Sequence, residues 1–306
     1  MNILVTGGAG FIGSNLVDAF VAAGHSTVVV DNLYMGRLEN LNPKAKFYLL
    51  DIRAPEVAKV FEFEKIDVVC HQAAQMDVRK SVADPGFDAE VNVLGSLNLL
   101  QNSLKYGVKK FLFASTGGAI YGEQDYFPAD EDHPIRPVSP YGVTKLTVEK
   151  YLFYYHQVHG LPYVALRYAN VYGPRQNPHG EAGVVAIFTE KMLSGQKPVI
   201  NGDGRQTRDF VYVGDVVEAN LRALEYEKSD IFNIGTGIET DVNTIFHKLN
   251  QIIGSNTPEC HGPPKDGEQL RSVIDYTKAK KLLGWEPKVD LQRGLQATVD
   301  YFRSSK

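Results

Sequence analysis

Cysteine is almost missing from this chain: two thiols, Cys70 and Cys260, among 306 residues. Two cysteines so far apart make no disulfide framework, so stability must come from a buried core, and a reducing, cytoplasmic setting is expected. Cys70 ends the apolar run IDVVC, as a buried thiol would. Long hydrophobic runs are also missing. No apolar stretch approaches the roughly 20 residues needed to cross a bilayer, and MNILVTGG has neither the charged nor the apolar region of a secretory signal. No membrane association is therefore expected. Basic charge is not in excess either: 32 Lys and Arg stand against 36 Asp and Glu, for a formal net charge of -4. With no basic block or stripe, nucleic acid is not an expected partner. No internal repeat, low-complexity tract or metal-ligand pattern is evident.

What is present is an ordinary globular composition, 43% hydrophobic and 22% charged, in a chain long enough for two lobes. Short apolar runs punctuate the first half: 2–6, 27–31, 47–51, 67–71, 110–115 and 163–167. Most are β-branched or aromatic without polar alternation, as in strands buried on both faces. Helical patterns lie between them at 11–23, 55–62, 86–106 and 141–159. Strand and helix in alternation predict an α/β fold with a doubly wound parallel sheet and right-handed crossovers. After residue 171 the texture changes to Gly- and Pro-rich loops, then helical patterns at 184–195, 214–226, 241–252, 276–283 and 291–303. Residues 1–170 are therefore read as a dinucleotide-binding domain, to which segments near 209–235 return. Residues 171–306 are read as a smaller α/β substrate lobe. A ligand cleft is expected between them, beyond the carboxyl ends of the strands.

The first strand runs into TGGAGFIGS. Gly7, Gly10 and Gly13 are spaced by three, and Gly8, Gly10 and Gly13 satisfy G-x-G-x-x-G. Such a turn lets backbone approach a pyrophosphate at a helix N-terminus. The second strand ends in Asp31, an acceptor for an adenosine ribose and a repellent for a 2′-phosphate. With no arginine following it, NAD is favoured over NADP. Asp51 ends the third run in the same way, on the adenine side.

SPYGVTK opens a helix on which Tyr141 and Lys145 share one face. A phenol with a pKa of about 10 is a poor base at neutral pH, but a neighbouring ammonium lowers it. Such a tyrosine accepts the proton of an alcohol as that alcohol is oxidised.

These blocks, with DNL, DIR, HQAA, NVLGSLNLL, LRYANVYGPRQ, GDGRQTRDFVYVGDV, NIGTG and LGWEP, resemble the extended short-chain dehydrogenase/reductase family over nearly the whole chain. Within it they are most similar to the UDP-glucose (UDP-galactose) 4-epimerases. The resemblance implies NAD contacts at Gly7, Gly10, Phe11, Ile12, Asp31, Asn32, Asp51, Ile52, Ala73, Ala74, Asn92 and Tyr168. It implies Tyr141 as proton acceptor and Lys145 on the nicotinamide ribose. Nucleotide-sugar contacts fall on Asn170, Val184, Val199, Asn201, Arg208, Lys265, Glu268 and Arg271. Arg208 suits a diphosphate, because a guanidinium fork matches two anionic oxygens. Lys265 stands where the family usually has arginine, so Arg271 is a candidate to assist it. Trp285 reads as a packing residue. A homodimer through helices near 86–106 and 141–159, forming a four-helix bundle, is also implied.

The implied reaction is inversion at C4 of a UDP-hexose through a 4-keto sugar. A UDP-N-acetylhexosamine or UDP-glucuronate 4-epimerase is an alternative; Ser272, small where hexose-restricted relatives carry tyrosine, leaves room for an acetylated sugar. A 4,6-dehydratase would need an acid–base pair where this chain has Gly117 and Gly118. A non-catalytic NAD sensor would not need both Tyr141 and Lys145. One position departs from the family. In FASTGGAIYG the hydroxyl side chain expected four residues before Tyr121 is Gly117. Thr116 is then the expected donor to sugar O4, the two glycines supplying backbone freedom; Ser115, a second catalytic and substrate-binding candidate, is expected to lie deeper, on the nicotinamide side.

Overall fold

The apolar runs assemble into one parallel sheet. The computed structural model describes residues 1–179, 183–264 and 269–304. Strands β1 (Asn2–Thr6), β2 (Ser26–Asp31), β3 (Lys46–Leu49), β4 (Val68–His71), β5 (Lys110–Thr116) and β6 (Tyr163–Tyr168) are followed by β7 (Asn170–Tyr172), β8 (Ile200–Asn201), β9 (Thr207–Tyr212), β10 (Asp230–Ile234), β11 (Glu239–Asp241) and β12 (His261–Gly262). The helices are α1 (Phe11–Ala22), α2 (Val57–Glu64), α3 (Val78–Ala83), α4 (Pro85–Ala89), α5 (Gly95–Lys105), α6 (Pro140–His159), α7 (Val184–Leu193), α8 (Val213–Glu225), α9 (Val242–Ile253), α10 (Thr277–Leu283) and α11 (Leu291–Ser304).

The main sheet has seven parallel strands in the order β10-β6-β5-β4-β1-β2-β3. Order reverses between β1 and β4, and the glycine loop sits at that switch point, where such sheets bind ligands. One face buries Leu16, Val17 and Phe20 of α1 and Val216, Ala219 and Ala223 of α8. The other buries Val57 and Phe61 of α2, Leu99 of α5 and Val148 and Leu152 of α6. Strands covered on both sides read as continuous apolar runs for this reason. A second core packs Val185, Phe188 and Met192 of α7 against α9 and α11, over the three-stranded sheet β11-β9-β7. Trp285 is 1% exposed and donates its indole N–H to the Asp215 carbonyl at 2.8 Å, as a packing residue does.

Three features differ from the sequence reading. The helix expected over 86–106 is divided: α4 ends at Ala89, a π-helical turn spans Glu90–Leu94, and α5 begins at Gly95. The widened turn carries Asn92, whose side chain leaves the helix to bond elsewhere. Second, the short helix α3, capped by the Asp77 carboxylate on Lys80 N, lies in a stretch where the sequence reading placed no element. Third, β3 is an edge strand and only partly covered, with Leu49 62% exposed; Asp51 lies beyond its end. After β9 the chain re-enters the main sheet through α8, which packs on it, and β10, which pairs with β6.

Candidate active site

The glycine loop is built by close approach. Gly7 has φ +69°, and a Cβ there would lie 2.8 Å from Ala73 N, so loop and HQAA segment touch. A Cβ at Gly13 would stand 2.1 Å from the Gly7 carbonyl oxygen; α1 packs its first turn directly on the loop. Gly10 caps α1 without any side-chain bond to the first turn, which leaves the N–H groups of Phe11 and Ile12 without a side-chain cap at a positive helix end, the kind of site that takes an anion. Asp31 is 7% exposed and accepts from Ala9 N at 3.0 Å and Leu33 N at 2.8 Å. Burial raises its pKa, against those two bonds. Asp51 is gripped by Arg53 through Nε and Nη2, both at 2.9 Å, and by Asn32 Nδ2 at 3.0 Å. Arg53 chiefly pulls its pKa to about 2. Ile52 is buried and would touch any side chain added at Gly95. This cradle of glycine backbone, helix end and buried acid fits a dinucleotide with a free ribose 2′-hydroxyl.

HQAA is fixed by the residues around it. His71 bonds Thr6 Oγ1 at 2.7 Å and Ser96 Oγ at 2.9 Å, and burial holds its imidazole neutral, with pKa lowered to about 3. Ala73 N donates to Thr6 Oγ1 at 3.3 Å, and Ala74 follows it in the same wall. Asn92 accepts from Gln75 N at 2.8 Å and donates to Gln75 O, Asp88 Oδ1 and Thr144 Oγ1. Its amide is thus engaged in shaping the wall beside the glycine loop. Tyr168 is buried. Its oxygen accepts from Asn220 Nδ2 at 2.8 Å and lies 3.4 Å from Gln72 Nε2, and burial raises its pKa. It therefore supports HQAA from the α1–α8 side of the sheet.

Helix α6 begins with Ser139, whose hydroxyl accepts from Gly142 N, and with Pro140 in its first turn. This start places Tyr141 at the open end of the sheet, with Lys145 one turn below. Lys145 is 4% exposed, donates to the Ala114 carbonyl at 2.8 Å, and lies 5.8 Å from the Tyr141 ring centre. Burial lowers its pKa to about 8, opposed by Asp88 and Glu149. Glu149, a further turn along, forms a bidentate pair with Arg167 of β6 at 2.7 and 2.9 Å. Tyr141, Lys145 and Glu149 form one helical stripe, a signal already present in the spacing but absorbed only as far as Lys145.

The strand-end turn is where the geometry revises the sequence reading. Ser115 donates to Glu149 Oε1 at 2.6 Å, inside the protein; it belongs to the ion-pair network and not to the turn's open side. Alternation along β5 sends Thr116 the other way. Thr116 Oγ1 accepts from Ala119 N at 3.2 Å and keeps its own O–H to donate. A Cβ built at Gly118 would lie 3.6 Å from Asn170 Oδ1 and 4.0 Å from Thr116 Oγ1, so Thr116 and Asn170 meet around that glycine. Neither Gly117 nor Gly118 has a positive φ. Gly117 is needed for space, not for backbone freedom, whereas a Cβ at Gly118 would meet its neighbours only at ordinary contact distance.

In the second lobe, Arg208 lies on β9 and donates to the Thr207 carbonyl at 2.8 Å. Asp209 turns inward to accept from Thr236 and Gly237, which leaves it no carboxylate oxygen for Arg208. Arg271 pairs with Glu239 at 2.5 Å and covers the Phe127 ring at 3.7 Å. Val184 opens α7, Asn201 lies on β8, and Val199 is 43% exposed beside it. Ser272 is buried at 3%. Lys265 and Glu268 lie outside the described residues. Among the described residues, no cluster of His, Cys, Asp or Glu could hold a metal ion, and no helix is long and apolar enough to cross a membrane.

A profile of the NAD dependent epimerase/dehydratase family matches residues 3–235. The chain belongs to that family. A curated putative UDP-glucose 4-epimerase of Methanocaldococcus jannaschii is 49% identical over 303 residues, covering 99% of both chains. Among solved structures, the UDP-glucose 4-epimerase of Thermotoga maritima with UDP-glucose is 53% identical; the match covers 100% of this chain and 99% of the other, with a TM-score of 0.98. That of Thermus thermophilus, in complex with NAD, is 46% identical with a TM-score of 0.96 and covers 100% of both.

Proposed function

We propose that the chain is an NAD-dependent UDP-hexose 4-epimerase that interconverts UDP-glucose and UDP-galactose. The observation that carries this reading is the stripe on α6: Tyr141 at the open end of the sheet, with the buried Lys145 beneath it and bonded to Ala114. Full-length similarity to epimerases of that specificity supports it. What the cofactor supplies when bound is a reversible two-electron oxidation at sugar C4, so that the carbon passes through a ketone with no net redox change.

The chain's residues handle the proton and the placement. Tyr141 takes the O4 proton and returns it to the same oxygen after the keto sugar has turned to present its other face, so that C4 is inverted. The Lys145 ammonium holds the phenolate and sits on the ribose side. Thr116 bonds O4, and Asn170 and Arg208 bind the diphosphate side, with Arg271 as a candidate partner for the uridine end. Ser115 acts through Glu149 to fix α6 on β5. With glycine at both 117 and 118, the turn offers no acid–base pair for a 4,6-dehydration.

The same reading makes the enzyme a cytoplasmic homodimer. Two free thiols, one buried, suit a reducing compartment. Val143, Tyr154 and Val158 are exposed along α6 and Leu94 in the π-helical turn before α5, an apolar face suited to a four-helix bundle; a Tyr154→Glu variant that stays dimeric by light scattering would remove that assignment. The functional test is incubation of the purified protein with UDP-galactose, UDP-N-acetylgalactosamine and UDP-galacturonate without added NAD. Conversion of UDP-galactose to UDP-glucose is the expected result; conversion of only another sugar overturns the substrate assignment.

A further inference from the structure

Position 117, where the resemblance calls for a hydroxyl side chain, has no room for one. A Cβ built at Gly117 would lie 2.6 Å from Ile274 Cδ1 and 3.2 Å from Ile274 Cγ2. A Cβ at Gly235 would lie 2.6 Å from Ile274 Cγ1. The Gly235 Cβ would also lie 2.5 Å from Asp209 Oδ2, so Gly117 makes space chiefly for Ile274, and Gly235 for Ile274 and Asp209 together. The Ile274 side chain is 1% exposed and packs with Ile120, Tyr121 and Ala129. Its backbone is pinned as well. Ala129 N donates to the Val273 carbonyl at 3.0 Å, and Asp275 N donates to the Ala129 carbonyl at 2.8 Å. Ile274 N lies 3.4 Å from Asp209 Oδ2, next to Arg208 in sequence.

We infer that Ile274 is the positioning residue of the catalytic turn: it occupies the side-chain volume of position 117, makes Thr116 the hydroxyl that faces the sugar, and ties the turn to the segment carrying Arg271 and Ser272. This rests on the C4-epimerase reading. The turn cannot relax toward the space above Gly117, because tightly packed interiors do not absorb an extra carbon without displacement. Thr116 then has one available course, closing on Ala119 N while its O–H points to where Asn170 and the sugar meet.

The test is a set of variants assayed as NAD-loaded enzyme. Thr116→Val in the natural background is expected to lower kcat by about a hundredfold, as loss of a proton-handling group does, with little change in KM. Gly117→Ser alone forces a side chain into Ile274 and lowers both Tm and kcat, the latter at least about tenfold. Gly117→Ser combined with Ile274→Ala is expected to recover kcat to within about threefold of the natural enzyme, a coupling that independent sites do not show. In that double background the introduced serine supplies a second hydroxyl, so Thr116→Val should lower kcat less than about tenfold. Losses that merely add in the double variant, or an undiminished Thr116→Val loss there, overturn the inference. If the double variant does not fold, the smaller pair Gly117→Ala and Ile274→Val decides by Tm: Ile274→Val restores part of the fall caused by Gly117→Ala if the two side chains compete for one volume, and simple addition of the two falls overturns it. Interconversion of UDP-glucose and UDP-galactose by the natural enzyme keeps the epimerase reading in place whichever way these variants behave.

Discussion

Lys145 donates its Nζ to the backbone carbonyl of Ala114 at 2.8 Å, in a position where only 4% of the residue is exposed. The bond joins the acid–base face of α6 to the end of β5 just before the Ser115–Thr116 turn. It fixes the ammonium without a carboxylate in direct contact. Asp88 and Glu149 act on it only at a distance, and burial outweighs them, so the amine loses its proton at about pH 8.

That value sets a pH dependence. The ammonium is the active form, because it stabilises the Tyr141 phenolate. Turnover is expected to fall as pH rises through about 8. Lys145→Arg keeps a cation at all accessible pH and should abolish this alkaline limb, at some loss of rate from the longer side chain. Stability runs the other way. Between about 8 and the unfolded value of about 10.4, the unfolded chain binds the extra proton, so this group makes stability rise with pH across that window. A pH–kcat profile with UDP-galactose for the natural enzyme and for Lys145→Arg checks the first statement; an alkaline limb unmoved in Lys145→Arg counts against it.

Tyr141→Phe removes the proton acceptor while keeping the ring that lies near Lys145. Bound NAD is expected to remain, and kcat should fall at least about a hundredfold. The measurement is single-turnover conversion at saturating UDP-galactose together with the NAD content of the denatured protein. Turnover close to that of the natural enzyme would take Tyr141 out of the mechanism.

Ser115 and Arg167 predict stability effects instead. Ser115→Ala deletes a buried hydroxyl donated to Glu149, for a loss of about 1–3 kcal/mol in unfolding free energy, with kcat less affected than by Thr116→Val. Arg167→Met strands the Glu149 carboxylate, which is 2% exposed; breaking such a pair costs about 3–5 kcal/mol. Urea titrations of the two variants measure both. A loss at Ser115 larger than that at Arg167 would show that the ion pair is not the organising element of this network.

Asp31→Ala removes the acceptor of Ala9 N and Leu33 N and the charge that opposes a ribose phosphate. NAD is expected to be lost during purification, and the preference for NAD over NADP should narrow by at least about tenfold, the scale of losing a hydrogen bond to a charged group. Titration of cofactor-depleted protein with each dinucleotide reads this directly; a variant that still discriminates as the natural protein does would place selectivity elsewhere.

The chain's local chemistry was enough to locate β1 to β6 and most of the helices, but not the strands from β7 onward. NILVT, TVVVD and KFLFAS are buried on both faces, and such runs carry their own signature. TGGAGFIGS and Y-x-x-x-K are legible because a tight turn at a helix start and a shared helix face are set within a few residues. Edges and contacts between distant segments were not legible. FYLLD reads like an interior strand, yet β3 is the sheet edge, because position in a sheet is decided by which strands pair and not by the run itself. Asn92 sits mid-pattern in NVLG, and only its distance to Gln75 and Thr144 shows why the helix widens there. Ser115 and Thr116 are neighbours with the same chemistry, and only alternation across β5 sends one to Glu149 and leaves the other at the turn. Above all, Gly117 read as a source of backbone freedom, when what it answers to is Ile274, which lies 157 positions along the chain. Local sequence encodes preferred dihedrals and faces; occupied volume is a property of the folded chain, and no window around Gly117 contains the residue that fills it.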